Sequence, residues 1–397
     1  MNKLKSLFNE NTPFKVFLMS VLITGVSYGL YKGMLDNFMA EVVGMGEADR
    51  GVTEFFRELP GVMLVFILAA FYMFSAETMY KAGAVIMLIG MAMHAALPAT
   101  KVFTTLAICM YALGEHIQIG MKSTLTLKYT KGDNGGAALG VQSAVSQIGT
   151  LAGYIVIIAA FSLASSGQPY TFFFLCAALL AGLSVLCSLK ISGRSETDST
   201  KRRFYFSKKY TKYYMLEMFY GSRKQVFITF GPYVLIMMYG ASTAVISLLF
   251  AVSAIACFFA SPIVGRIIDR VGYKTVMVSD TLILVIVCFF YGFAHHFFSM
   301  EVAFVVCCIN YLLDAVISLS AMASNVYVKD LADNDEEVKA TLSTGVSINH
   351  VITIFIALFG GWVWQVLGIE LLFIVSAVLG LLNSAYAATI KVPKRSV

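Results

Sequence analysis

Charge is scarce in this chain. Only 13% of its 397 residues are charged, and 58% are hydrophobic. A soluble domain carries roughly a quarter charged residues, so this chain lacks the polar surface to face water on all sides. A water-soluble globule is excluded, and the membrane class is expected. Proline is sparse, at seven residues, and no low-complexity tract occurs, which leaves little room for disorder. The seven cysteines all lie in apolar runs without metal-ligand spacing, and the adjacent pair Cys307 and Cys308 is badly placed for a disulfide. They read as small apolar side chains in helix contacts. No Gly-rich loop ending in Gly-Lys-Ser/Thr is present, which removes ATP-driven chemistry from consideration. Paired-histidine and nucleophile motifs are also missing. No cofactor and no metal are expected.

Long apolar runs are abundant. A bilayer core takes roughly 20 helical residues to cross, and twelve runs qualify. They are 14–43, 53–74, 79–97, 102–127, 137–161 and 170–189, then 210–239, 242–261, 275–294, 298–328, 338–366 and 369–390. They are long and lack period-2 alternation, so a β-barrel is excluded. The expected fold class is all-α integral membrane.

Basic residues orient these spans. Of the 29 Lys and Arg, most fall on one face if the N-terminus is cytoplasmic. That face holds Lys3, Lys5 and Lys15, then Lys81, then Lys128 and Lys131. After the central linker it holds Arg266, Arg270 and Lys274, then Lys329 and Lys339, then Lys391, Lys394 and Arg395. Only Arg50 and Lys101 read as loop cations on the opposite face. Both termini are therefore expected in the cytoplasm. The first apolar run follows Lys3 and Lys5 like a signal peptide, but no small-residue cleavage site follows it, and it reads as an uncleaved span. The net charge of +6 thus reflects topology, and no nucleic-acid partner is expected.

One long polar linker, 190–209, divides the chain into six-span halves, 1–189 and 210–397. It runs through Ser195, Glu196 and Asp198 to Lys201, Arg202 and Arg203. Such a basic segment favours anionic membrane lipids. The halves echo each other. Leu113-Gly114-Glu115 in the fourth span matches Leu312-Leu313-Asp314 in the tenth, and Gly149 to Gly153 in the fifth matches Ala357 to Gly361 in the eleventh. Small residues there permit close helix approach, and a six-plus-six repeat is a transporter architecture.

The loop after the eighth span reads Gly265-Arg266-Ile267-Ile268-Asp269-Arg270-Val271-Gly272-Tyr273-Lys274. With its placement it resembles the cytoplasmic signature of the major facilitator superfamily. Gly265 is expected to allow close helix approach and Gly272 a tight turn. Asp269 with Arg266, Arg270 and Lys274 is expected to form a gating charge latch. The counterpart after the second span, Ser75 to Gly83, departs from the pattern. The fifth span also departs from the drug-exporter signature, having no proline beside Gly149. The resemblance implies two six-helix pseudo-repeat bundles, with the first, fourth, seventh and tenth spans lining a central cavity.

Those four spans carry ionisable residues, while the third, sixth and twelfth carry almost none. Tyr28, Lys32 and Asp36 recur every four residues on the first span, with Tyr31 on the same stripe. Lys32 and Asp36 are expected to join Arg57 and Glu58 in an outer network. The fourth span has Glu115 and Lys122, the seventh Glu217, Tyr220, Arg223 and Lys224, and the tenth Asn310 and Asp314. Gln147 on the fifth span, and Asn349 and His350 on the eleventh, add polar groups. A charge at the bilayer centre costs about 2.5–3.5 kcal/mol, so these groups face a cavity or a partner. Glu115 and Asp314 are the candidate proton carriers, the alternative being permanent pairing with Lys122, Arg223 or Lys224. The cations and tyrosines favour a polar or anionic organic solute. His295 and His296 read as solvated residues at the outer mouth. The expected function is a proton-coupled secondary transporter, acting as a monomer. A multidrug or metabolite efflux antiporter of the same fold is the alternative, and an integral-membrane enzyme a distant one.

Overall fold

The computed structural model describes residues 12–71, 73–130, 135–164, 169–191 and 205–392. The cations Lys3, Lys5, Lys131, Arg194, Lys201, Arg202, Arg203, Lys394 and Arg395 lie outside them, as does most of the linker. Helices are Thr12–Asn37 (α1), extended by a π-helical turn Phe38–Val42, then Glu47–Ala70 (α2), Ala76–Ala96 (α3), Lys101–Lys128 (α4), Gly135–Leu163 (α5) and Tyr170–Leu189 (α6). The second half has Thr211–Tyr239 (α7), Thr243–Val271 (α8), Tyr273–Phe297 (α9), Met300–Ile317 (α10), Asp335–Leu367 (α11) and Ile369–Ala388 (α12). The tenth span is broken: after α10 comes a 3₁₀ turn, Ser318–Ala321, and a helical continuation, Met322–Leu331.

Among the described residues, ten helical stretches are long and apolar enough to cross a membrane. The two remaining long helices, α2 and α7, fall short of the expected twelve on that measure. They bear Glu54, Arg57 and Glu58, and Glu217, Arg223 and Lys224, which lower their hydropathy. The outward-facing side chains explain the composition. Phe66 is 71% exposed and Leu179 74% exposed, a surface suited to lipid.

The chain forms two compact units. The first comprises Met1–Gly44, Leu59–Lys201 and Ser242–Ala251, and the second Met45–Glu58, Arg202–Ala241 and Val252–Val397. In the first, α1 packs on α5 and α6, and α3 packs on α4 and α6. In the second, α7 packs on α11 and α12, and α9 packs on α10 and α12. The second pattern is the first shifted by six helices, so the echo in the sequence is an echo in packing.

Small residues set the closest contact. A Cβ on Gly29 would lie 2.2 Å from the Thr150 carbonyl, and one on Gly153 would lie 2.5 Å from the Val26 carbonyl. The α1 and α5 backbones therefore touch. Hydroxyls bind α1 to α6: Thr24 and Ser184 lie 2.7 Å apart, and Ser27 Oγ donates to the Ala177 carbonyl at 2.7 Å. In the second unit Phe227, Tyr291 and Phe373 form an aromatic core linking α7, α9 and α12. Single glycines join α8 to α9 and α11 to α12. Gly272 and Gly368 hold φ of +85° and +93°, a region where a side chain is strained.

Candidate transport site

In the first unit, the α1 stripe places Lys32 Nζ 2.7 Å from Asp36 Oδ2, over the Phe250 ring at 5.2 Å. Tyr28 is half-buried on the same face. Tyr31 leaves the expected stripe. It is 1% exposed, stacked 4.4 Å from Tyr111 and packed against His94 and Phe174. Its stripe position is one residue, about 100°, from Lys32, and that rotation turns it into the core. On α4 the half-buried Glu115 accepts a hydrogen bond from Tyr111 at 3.2 Å. Lys122, two turns on, is half-buried within electrostatic range of Glu115. Its side chain makes no hydrogen bond or ion pair among the described residues. His116 is bonded to the Ala112 carbonyl of its own helix. Gln147 is exposed, on the face of α5 opposite Gly149.

The second unit holds two polar clusters. The first sits on Met45–Glu58. Glu54 is fully buried and accepts from Arg50 Nη1 at 2.8 Å, from Arg57 Nε and Nη2 at 2.9 and 2.7 Å, and from Gln225 Nε2 at 2.9 Å. Arg57 also pairs with Glu58. Glu58 in turn meets His350 Nδ1 at 2.8 Å and Thr353 at 3.5 Å. Close backbone contact supports this ladder, because a Cβ on Gly51 would lie 2.5 Å from the Ala357 carbonyl. Within the first unit Lys32 pairs with Asp36, and within the second Arg57 and Glu58 join Arg50, Glu54 and His350. Arg50, expected in an outer loop, is a buried member of α2 at 3% exposure. Its i, i+4 spacing from Glu54 was the available signal.

The second cluster centres on α7. Arg223 Nη2 lies 2.6 Å from Asp280 Oδ2 on α9, and both are buried. Ser320 Oγ donates to the same carboxylate oxygen at 2.6 Å and lies 3.4 Å from Arg223 Nη2. The Tyr220 ring sits under the Arg223 guanidinium at 4.9 Å and under Lys224 at 5.9 Å. The Tyr220 hydroxyl donates to the Ser318 carbonyl at 2.5 Å. The 3₁₀ break after α10 thus presents Ser318 O and Ser320 Oγ to this cluster. The guanidinium is not saturated: Arg223 Nε and Nη1 are buried without a hydrogen-bond partner among the described residues.

Within the second unit Arg223 therefore pairs with Asp280 rather than with Asp314, one of the partners that the pairing alternative allowed. Asp280 is a residue that sequence reasoning missed. The signal was a single acid inside the apolar run 275–294, on a helix outside the four that the resemblance marks as cavity-lining. Asp314 is half-buried and within electrostatic range of Arg223 and Lys224. It makes no side-chain hydrogen bond or ion pair among the described residues. Lys224 is half-buried with the Tyr220 ring against it. Glu217 accepts from Ser324 at 2.9 Å, and Asn349 Nδ2 lies 3.3 Å from the Glu217 carbonyl, over Gly221. Asn310, one turn before Asp314 on the same face, is buried and donates to Val306 O of its own helix at 2.7 Å.

The signature loop differs from its expected latch. Arg266, Asp269 and Arg270 are exposed, and Asp269 forms no ion pair among the described residues. Arg266 Nε donates to the Pro262 carbonyl at 3.2 Å, and Lys274 Nζ donates to the Ile390 carbonyl at 2.9 Å. A Cβ on Gly265 would meet nothing within 4 Å among the described residues. Gly272 makes the turn. In the degenerate counterpart, Glu77 is buried and pairs with Lys128 at 2.9 Å, while Lys81 donates to the Ile191 carbonyl at 2.8 Å. His295 and His296, expected to be solvated, converge on Glu370 at 3.4 and 2.8 Å.

Residues 213–396 match the sequence model of the Major Facilitator Superfamily. No curated protein sequence matches the chain. Among solved structures, the nucleoside transporter NupG is similar at 16% identity and TM-score 0.73, over 96% of this chain and 100% of that one. A D-xylose-proton symporter is similar at 14% identity and TM-score 0.71, over 95% and 96%. A POT family transporter in complex with 5-aminolevulinic acid is similar at 13% identity and TM-score 0.70, over 94% of each chain. At these identities the likeness is one of fold. The second half thus matches the Major Facilitator Superfamily model, and the chain as a whole shares the fold of these solved membrane transporters.

Proposed function

We propose that the protein is a proton-coupled secondary transporter of a small polar or anionic organic solute, acting by alternating access. The observation that carries this reading is the state of Asp314. It is a half-buried carboxylate, without a side-chain hydrogen-bond partner among the described residues, beside two cations. The nearer claim on Arg223 belongs to Asp280 and Ser320. A carboxylate held so is costly when charged. Taking up a proton removes that cost, and releasing it restores attraction to Lys224 and Arg223. Glu115, at the matching place in the first unit, is hydrogen-bonded by Tyr111 and is the second candidate. The buried donors Arg223 Nε and Nη1, with Lys224, favour a carboxylate or phosphate group on the solute. The solved neighbours named above carry or bind a nucleoside, a pentose and a small amino acid, which are small and polar. Both termini are assigned to the cytoplasm of a plasma or inner membrane, with a monomer as the working unit.

The test is reconstitution of Asp314→Asn and Glu115→Gln in proteoliposomes under an imposed pH gradient. The carrier's replacement should leave folding and pH-independent exchange intact while abolishing gradient-driven accumulation. Full accumulation by both single variants sinks the coupling role.

A further inference from the structure

At the end of α9 away from the signature loop, we infer a binding site for a divalent transition cation of the zinc type. It is built from His295, His296 and Glu370. Nothing in the transport reading uses these residues, and the inference stands independently of it. The two imidazole Nε2 atoms converge on a single oxygen, Glu370 Oε1, at 3.4 and 2.8 Å. The three ligand atoms all lie within 4.8 Å of one another. A tetrahedral zinc with bonds of about 2.0–2.1 Å holds its ligand atoms about 3.4 Å apart. The His295 distance already matches that figure. The His296 distance needs an opening of about half an ångström, which its exposed side chain permits.

The backbone supports the same arrangement. Glu370 is the second residue of α12, two after Gly368, whose φ is +93°. A Cβ at 368 would lie 2.7 Å from Glu370 Oε2, so the glycine leaves room for the carboxylate. The imidazole rings lie 4.0 Å apart, a spacing that suits two neutral rings sharing an ion better than two protonated ones. Imidazole and carboxylate donors select zinc, cobalt or nickel over magnesium or calcium. Three protein ligands leave a fourth position for water or an exchangeable group. The ion would tie the end of α9 to the start of α12.

The experiment uses untagged full-length protein in detergent, stripped with chelator and then freed of it. Zn²⁺ is titrated by calorimetry and Co²⁺ by visible absorption, for wild type, His296→Gln and Glu370→Gln. His296 is 53% exposed, so its replacement leaves the fold intact, as elution volume will report. One ion per wild-type chain is expected, with affinity at least tenfold weaker in both variants and a cobalt spectrum free of thiolate charge transfer. No saturable binding below millimolar metal overturns the site. So does equal affinity in the variants, or a thiolate spectrum pointing to the cysteines.

Discussion

Replacing Asp280 with Asn removes the only acid hydrogen-bonded to Arg223 among the described residues, and its cost can be worked out. Arg223 is 3% exposed and Asp280 7%, so neither is well solvated. With charge centres about 4 Å apart and an effective dielectric of about 20, their attraction is worth roughly 4 kcal/mol. Asparagine keeps the shape and loses the charge. The guanidinium then retains the Tyr220 ring, worth about 1–2 kcal/mol in a desolvated setting and present in both forms. It also retains Ser320 and the more distant pull of Asp314. Stranding one partner of a buried pair costs about 3–5 kcal/mol, and Asp314 offsets part of this, so about 3 kcal/mol is expected. At roughly 2 °C per kcal/mol for a bundle of this size, the apparent Tm should fall by about 6 °C. The readout is the monodisperse size-exclusion peak surviving a series of heating steps in detergent. An Arg223→Met, Asp280→Leu double variant should recover most of the loss, because no buried charge is stranded. An Asp280→Asn protein within about 1 °C of wild type would refute the reasoning. An equal loss on adding Asp280→Asn to Arg223→Met would do the same, since the pair would then be uncoupled.

Other expectations follow from neighbouring geometry. Gly29→Ala places a Cβ 2.2 Å from the Thr150 carbonyl, and overpacking should cost about 1–3 kcal/mol; Gly265→Ala, with open space around it, should leave thermal stability unchanged, and an equal Tm for the two variants would contradict the packing account. Asp269→Asn should slow turnover without altering Tm, because the residue is exposed and unpaired among the described residues; unchanged turnover leaves the loop with a purely topogenic role. Reporter fusions after Lys201 and Lys394 should both read cytoplasmic, and an opposite reading at either breaks the assigned topology. Glu54→Gln should destabilise the second unit by about 3 kcal/mol, since it removes the carboxylate charge of a buried ion pair; retention of wild-type Tm would show that the ladder on α2 carries no net stability.

What the sequence by itself determined was everything governed by composition and by periodicity along one helix. Apolar runs of bilayer length demanded helices, because a backbone in lipid must satisfy its own hydrogen bonds. Lys32 and Asp36 were legible as a pair because i and i+4 share a face. Gly149 and Gly153 were legible as a contact stripe, and the echo of the fifth span in the eleventh became one packing pattern used twice. Partner choice between helices was not legible. Arg223 had Glu115 and Asp314 as the acids weighed, Asp280 was overlooked, and the crossing of α7, α9 and the broken tenth span selected Asp280. Tyr31 and Lys32 adjoin in sequence, yet one fills an aromatic core and the other lies over Phe250. Arg50 looked like a loop cation until the start of α2 put it beside Glu54. Spacing along a helix is set by local geometry. Register and depth between helices are set by close packing of whole surfaces, and only the tertiary structure decides those.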